Sequence, residues 1–235
     1  MPSSILLLGH RGARHDAPEN TFAAFDLALR HGAHGFEFDV RRTRDAKSII
    51  CHDPKFQRLV VRRHTLKQLR AAAASPKQTP PTLEGVLERY GRLAFLNIEV
   101  KVPGAEEMVA KAVKSACPQG YFISSFLPGV VRRLHALDAS LVLGALAQTR
   151  WQLRRWRILP VSYVAPHYRL LTRRLVEKLH AADKTVITWT VNERKQMLRA
   201  AELGVDGIIS DNTKLLVEVL GGRAAPLGPR RSFVE

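Results

Sequence analysis

Glu37 and Asp39 alternate with Phe36, Phe38 and Val40 in the run Gly35-Phe36-Glu37-Phe38-Asp39-Val40. Residues two apart share a strand face, so both carboxylates point one way and the aromatics the other. In Asn97-Ile98-Glu99-Val100-Lys101 the same spacing sets Glu99 and Lys101 on one face. Strand interiors are ordinarily apolar, which makes these four charged residues the informative ones. Carboxylates gathered in one low-dielectric place repel unless a cation sits among them. An all-oxygen donor set suits Mg²⁺, Ca²⁺ or Mn²⁺ rather than zinc. A solvated edge strand, or a plain ion pair of Glu99 with Lys101, would account for the same spacing without a metal.

The histidines divide unevenly. His10 follows Leu6-Leu7-Leu8-Gly9 and His52 follows Ile49-Ile50-Cys51, so each ends an apolar strand inside a polar cluster, His10-Arg11-Gly12 and His52-Asp53-Pro54. Two imidazoles near carboxylates and cations can shuttle protons near neutral pH. His167, in Ala165-Pro166-His167-Tyr168, is a weaker candidate for the same region, while His15, His31, His34, His64, His135 and His180 read as surface residues on loops or helices.

The elements that must position these groups repeat along the chain. Short, β-branched or aromatic runs at 5–9, 35–40, 94–100, 121–126, 141–146, 161–165, 185–190 and 205–210 have the near-continuous apolar character of strands buried on both faces. Helical periodicity covers 20–31, 83–90, 105–115, 129–137, 149–156, 172–182, 193–203 and 214–220. Pro18-Glu19-Asn20-Thr21 offers a polar N-cap, and Gly32 and Gly204 stand just past helix ends. Strand–helix alternation of this kind predicts an α/β fold, a (β/α)8 barrel of the TIM type, and the length of 235 residues suits it. An open doubly wound sheet would need a G-x-G-x-x-G turn, and none occurs. In a barrel, Glu37, Asp39, Glu99 and Lys101 face the axis near the strand C-termini, where such barrels hold their sites.

Two pieces fall outside the repeat. Residues 48–51 predict a short strand forming a hairpin with 35–40, and residues 54–81 predict a basic, Ala-rich cap insertion at the barrel mouth, helical near 65–74. The single domain is expected to span 1–220, with 221–235 as a loosely ordered, flexible tail.

Bulk composition narrows the partners. Hydrophobic residues at 46% and charged residues at 25% allow a sizeable core and exclude wholesale disorder. Two cysteines exclude a disulfide scaffold and fit a reducing, cytoplasmic setting. No run reaches the ~20 apolar residues of a membrane span. The net charge of +16 favours anionic partners. The densest basic pieces, such as Arg154-Arg155-Trp156-Arg157, are too short for nucleic-acid arms, and no stretch alternates basic and aromatic residues as a stacking platform does, so no nucleic-acid partner is expected.

These residues carry a resemblance. His10-Arg11-Gly12, Pro18-Glu19-Asn20-Thr21 with Ala24-Phe25, Glu37-Phe38-Asp39-Val40, Thr43, Asp45 and His52-Asp53 follow in order and spacing the N-terminal signature of the glycerophosphodiester phosphodiesterase family. Pro81-Thr82-Leu83-Glu84, Asn97-Ile98-Glu99-Val100-Lys101, Ser125-Phe126, Trp189-Thr190-Val191-Asn192 and Gly204-Val205-Asp206-Gly207 continue it. The resemblance implies a (β/α)8 barrel that hydrolyses glycerophosphodiesters to sn-glycerol 3-phosphate and an alcohol with a divalent metal ion. It implies His10 and His52 as the acid–base pair, Glu37, Asp39 and Glu99 as metal ligands, Arg11 and Lys101 as phosphate-binding cations, and Trp189 as an aromatic lining the substrate channel. Relatives suggest attack by the substrate's own glycerol hydroxyl, giving a cyclic phosphate that water then opens.

The chain also departs from the pattern. Ala46 stands where the family usually has glycine after Asp45, the stretch after His52-Asp53 differs and the cap is shorter, and the usual proline after Ser210-Asp211 is absent. The expected partner is a small-molecule glycerophosphodiester, with peripheral contact to anionic membrane suited by the basic surface. Two other readings compete: a lysophospholipase D acting on lysophospholipids at a membrane surface, and an inactive barrel that binds nucleic acid or anionic membrane.

Overall fold

The computed structural model describes residues 5–223. The chain runs through β1 (Leu6–His10), α1 (Phe22–Arg30), β2 (Gly35–Arg42), β3 (Ser48–Ile50), β4 (Lys55–Phe56), β5 (Leu59–Val60), α2 (Leu66–Ala71) and α3 (Leu83–Tyr90). It continues through β6 (Phe95–Val100), α4 (Glu106–Ala116), β7 (Tyr121–Ser125), α5 (Pro128–Leu137), β8 (Leu143–Ala147) and α6 (Arg150–Leu153). It then passes β9 (Tyr163–Pro166), α7 (Arg173–His180), β10 (Thr185–Thr188), α8 (Arg194–Glu202), β11 (Gly207–Ser210) and α9 (Thr213–Leu220).

Eight of these strands, β1, β2 and β6 to β11, are parallel and close on themselves, because β1 pairs with both β2 and β11. The (β/α)8 barrel expected from the strand–helix alternation is therefore the fold. β3 lies antiparallel on β2, with Val40 opposite Ile50, as the predicted hairpin.

Two apolar layers result from the two strand faces. Outward-facing Phe36 stacks on Phe25 of α1 at 4.2 Å between ring centroids and meets Tyr90 of α3 edge-on at 5.0 Å. Inside the barrel, Leu8, Phe122, Leu146, Ala165, Ile187 and Ile209 form a separate apolar cluster. Filling the interior with these side chains makes it a packed floor and leaves the polar groups to the mouth. Gly35 is demanded by close packing, since a Cβ there would stand 1.9 Å from the Phe95 carbonyl oxygen.

The cap has a core of its own, in which Val61 and Leu69 pack on Ile49 and Cys51. Two backbone groups tie it to the β2–β3 turn: Arg44 N–H donates to the His64 carbonyl at 3.0 Å, and Leu66 N–H donates to Asp45 Oδ1 at 3.0 Å. The Thr65 capping box starts α2 as expected, but the helix ends at Ala71, short of residue 74. The β4–β5 hairpin was not expected; strands of two residues carry no readable alternation.

Other differences are local. The helix expected over 149–156 is four residues of α-helix, opened by a Thr149 capping box, continued by a 3₁₀ stretch at Arg154–Ile158. His34, read as a surface residue, is buried, and its Nδ1 accepts the Leu7 N–H at 2.8 Å. Of the tail expected over 221–235, residues 224–235 lie outside the described residues. Among those described, no helix is long and apolar enough to cross a membrane.

Candidate active site

The strand register builds the site. Pairing of β2 with β6 sets Asp39 beside Glu99 and Glu37 beside Asn97, and pairing of β1 with β2 sets His10 beside Glu37. Ligand oxygens of Glu37, Asp39 and Glu99 consequently lie within 4.8 Å of one another, all buried. Residues two apart on a strand, with register-matched neighbours, could produce no other grouping once the barrel closed.

Two cations stand among the three carboxylates. Lys101 Nζ lies 2.7 Å from Glu99 Oε1 and 3.4 Å from Asp39 Oδ1. Arg11 Nε lies 3.2 Å from Asp39 Oδ2, and the Arg11 backbone N–H donates to Glu37 Oε2 at 3.0 Å. Arg11 reaches that position through a left-handed backbone, φ +55°, followed by Gly12 at φ +82°, where a Cβ would stand 2.6 Å from the Ala24 carbonyl carbon. The turn thus needs a glycine, and the strained residue before it aims an N–H into the site.

Electrostatics follow from burial and these neighbours. Burial, then Asp39 and Glu99, hold the Glu37 carboxyl well above its ordinary range. Burial and Asp39 push Glu99 up to about 7. Burial alone would also raise Asp39, but Lys101, Arg11 and the Asn20 hydrogen bond outweigh it and keep Asp39 below its ordinary value. Glu37 Oε1 is buried without a hydrogen-bond partner. A buried, unpaired carboxylate oxygen facing two others is the donor set of a hard cation, so the cluster can hold a divalent metal ion.

The two candidate histidines differ in setting. His10 is largely shielded from solvent, and that desolvation lowers its pKa; its Nδ1 lies 2.6 Å from Asp211 Oδ1 and its Nε2 lies 3.9 Å from Glu37 Oε2. His52 is part-exposed, with Nδ1 2.8 Å from Asp53 Oδ1. Its carbonyl is gripped by the Arg41 guanidinium at 2.9 and 2.6 Å. Among the described residues no hydrogen bond or ion pair joins the His52 ring to the carboxylates; its charge reaches Asp39 only through space.

Trp189 stands in an aromatic wall beside this cluster. Its Nε1 donates to the Ala165 carbonyl at 2.8 Å, and its ring meets Phe126 at 5.5 Å and His167 at 5.2 Å, both edge-on. Phe126 in turn lies 6.0 Å from Lys101 Nζ. His167 is therefore part of the wall, with Nδ1 accepting the Arg169 N–H at 3.3 Å.

Three residues were not singled out from sequence. Asn20, read as part of a helix cap, has φ +59° and turns its amide to donate to Asp39 Oδ2 at 2.8 Å, while Thr21 caps α1. Glu19 takes Arg11 Nη1 on both carboxylate oxygens at 3.0 Å. Asp211 anchors His10. Glu19 and Asn20 did lie in a motif with polar residues; Asp211 figured only as the residue before a missing family proline, with nothing local to link it to His10.

A family model, the glycerophosphoryl diester phosphodiesterase family, matches residues 10–215. A glycerophosphodiester phosphodiesterase of Caldanaerobacter subterraneus subsp. tengcongensis is 32% identical over 92% of this chain and 97% of its own. One from Bacillus altitudinis is 32% identical over 87% and 94%. A phosphodiesterase of Oleispira antarctica, solved in complex with the product sn-glycerol-3-phosphate, superposes with a TM-score of 0.78 at 26% identity, covering 92% of this chain and 96% of that one. With the closed barrel and the acidic cluster at its mouth, these matches establish that the chain belongs to the glycerophosphoryl diester phosphodiesterase family, a family of phosphoric diester hydrolases.

Proposed function

We propose that the protein hydrolyses glycerophosphodiesters to sn-glycerol 3-phosphate and an alcohol. The observation that carries this is the packing of Glu37, Asp39 and Glu99 around shared space with Arg11 and Lys101, while His10 Nε2 stands 3.9 Å from Glu37. With all three ionised, as metal binding requires, the carboxylates outnumber the two cations by one negative charge, which would repel a phosphodiester. A divalent ion (Mg²⁺, Ca²⁺ or Mn²⁺) bound by the three carboxylates would reverse that charge and act as a Lewis acid toward the phosphoryl oxygens.

The chain's own groups supply the rest. Arg11 presents a planar fork held in place by Glu19, and Lys101 a point charge; both sit where non-bridging oxygens of the diester would gather charge as attack proceeds. Asp211, ionised and accepting only, fixes the proton of His10 on Nδ1 and leaves the Nε2 lone pair free. Burial keeps His10 neutral, the state a base needs. His10 therefore takes the proton of the attacking hydroxyl, and His52, freer and near Asp39, returns a proton to the leaving alcohol. A P–O bond forms to the attacking glycerol oxygen as the bond to the alcohol breaks, giving a cyclic phosphate. Water then adds at phosphorus, losing its proton to His52, as that new P–O bond breaks and His10 returns its proton to the glycerol oxygen, leaving sn-glycerol 3-phosphate. Trp189 and Phe126 flank the departing group. The two free cysteines support a reducing compartment, and we assign the protein to the cytoplasm.

Assaying release of sn-glycerol 3-phosphate from glycerophosphocholine tests the reading. Activity should vanish in EDTA and return with Mg²⁺, Mn²⁺ or Ca²⁺. Full turnover in chelator removes the metal from the scheme, and no turnover with any of the three metals overturns the substrate. A parallel assay on lysophosphatidylcholine separates this activity from a lysophospholipase D.

A further inference from the structure

Three of the four large hydrophobic side chains exposed among the described residues, Leu127, Trp151 and Ile158, belong to two neighbouring β/α units, those of β7 and β8. Trp151 and Ile158 are each 67% exposed. The segment that carries them is two-sided. Leu153 and Trp156 pack inward on the barrel core, while Trp151, Ile158 and the arginines Arg150, Arg154 and Arg157 face outward. None of those three arginines makes an ion pair among the described residues, although isolated surface cations on this chain elsewhere find acids, as Arg89 finds Asp26 and Arg133 finds Glu107.

The indole is also held rather than left loose. The guanidinium of Arg155 lies 4.0 Å over the Trp151 ring, and its Nη1 donates to the Phe126 carbonyl at 3.2 Å. Phe126 precedes Leu127 and belongs to the aromatic wall beside Lys101, so the outward face begins at the edge of the catalytic mouth. The cap on the same end of the barrel adds charge of one sign: residues 54–81 contain Lys55, Arg58, Arg62, Arg63, Lys67, Arg70 and Lys77 and no aspartate or glutamate.

We propose that this face docks on an anionic lipid bilayer. An exposed tryptophan with an aliphatic neighbour and unpaired arginines is the composition of a surface that settles at the headgroup level, with the ring at the apolar boundary and the guanidinium groups on lipid phosphates. Single-stranded nucleic acid suits it less well. Arg155 covers one face of the Trp151 ring, Trp156 is packed inward beneath Arg157, and Leu127 and Ile158 offer no ring, so no second exposed aromatic continues a stacking platform there. The proposal rests on this surface and not on the reaction assigned to the mouth.

Vesicle flotation of the full chain tests it. Vesicles of phosphatidylcholine mixed with phosphatidylglycerol should carry the protein, vesicles of phosphatidylcholine alone should not, and added NaCl should release it. Trp151→Ala, and separately Arg150→Glu with Arg154→Glu, should each weaken binding about tenfold or more. Leu93→Ala, at the opposite end of the barrel, should leave it unchanged. Hydrolysis of water-soluble glycerophosphocholine by each variant should match wild type, which shows that the variants are folded; loss of hydrolysis by the wild type would damage the functional reading and leave the docking result standing. Wild-type binding by the Trp151 and arginine variants, equal binding to neutral vesicles, no binding to either kind, or tighter binding to single-stranded RNA than to anionic vesicles would each overturn the proposal.

Discussion

His10 and Asp211 stand 201 residues apart in the chain and 2.6 Å apart in space, Nδ1 to Oδ1. Barrel closure makes the pair, because β1 and β11 are neighbours, with Gly9 in register with Ser210. Burial alone would raise the Asp211 carboxyl; the His10 hydrogen bond overrides it and holds Asp211 below its ordinary value. An ionised Asp211 can only accept, so it dictates which imidazole nitrogen keeps the proton. Asp211→Asn offers an amide donor to Nδ1 and allows the proton to move to Nε2, the nitrogen the proposed base needs free. The expected loss in kcat is ~10²–10⁴-fold, with little change in melting temperature. A folded Asp211→Asn protein with wild-type kcat would remove His10 from the role of base.

His10→Ala and His52→Ala should each lower kcat by ~10²–10⁴-fold, and the double variant by less than the product of the two losses, because both serve one proton circuit. His135, exposed on α5, is the control and should be silent on replacement by alanine. Structural histidines would instead lower the melting temperature and spare the rate per folded molecule.

Glu99 gives a pH test of stability. Burial and Asp39 raise it from 4.5 to about 7. A raised carboxyl contributes its stability in full below 4.5 and loses it as pH rises through about 7, because the folded state must then ionise a carboxyl it disfavours. In chelator, Glu99→Gln should therefore unfold later than wild type at about pH 8, by on the order of 2 kcal/mol, with the advantage shrinking toward about pH 5. Adding Mg²⁺ should favour wild type over the variant, most at high pH, where the ligands are deprotonated. A stability difference that does not change with pH would contradict the assignment of Glu99 as a repelled, buried carboxylate.

Ala46 stands where relatives usually carry glycine, and its φ is +56°. Its N–H donates to the Thr43 carbonyl at 3.1 Å, closing the turn between β2 and β3 with a left-handed residue, a place where a Cβ is strained. Ala46→Gly should stabilise the fold by ~0.5–1 kcal/mol, read as a higher melting temperature, since relief of strain exceeds the extra freedom glycine gains when unfolded. An equal or lower melting temperature would show that the turn carries no strain.

Glu19 touches no part of the carboxylate trio, yet it holds Arg11 Nη1 on both oxygens and Arg14 Nη2 at 3.2 Å. Glu19→Gln should loosen the guanidinium that faces Asp39 and raise KM several-fold with a smaller effect on kcat. Equal losses in kcat and kcat/KM, with KM unchanged, would place Arg11 in the transition state alone.

The sequence by itself determined the barrel and most of its charged interior. Eight short apolar runs alternating with helical periods called for a parallel sheet covered by helices, in the number that suits a (β/α)8 barrel, and α3 fell at Leu83–Tyr90, the limits its periodicity had predicted. Glu37, Asp39, Glu99 and Lys101 were legible because a charge at alternate positions of an apolar strand has one face to occupy. Tertiary structure decided the rest. No local pattern joins Asp211 to His10, Glu19 to Arg11 or Asn20 to Asp39, since each pair meets only after the strands have taken their register. His34 reads as polar and turns out buried because a backbone N–H, that of Leu7, needs an acceptor there. Periodicity reports which face a residue shares with its neighbours in the chain; which distant group it meets depends on register and closure, and those are properties of the folded barrel.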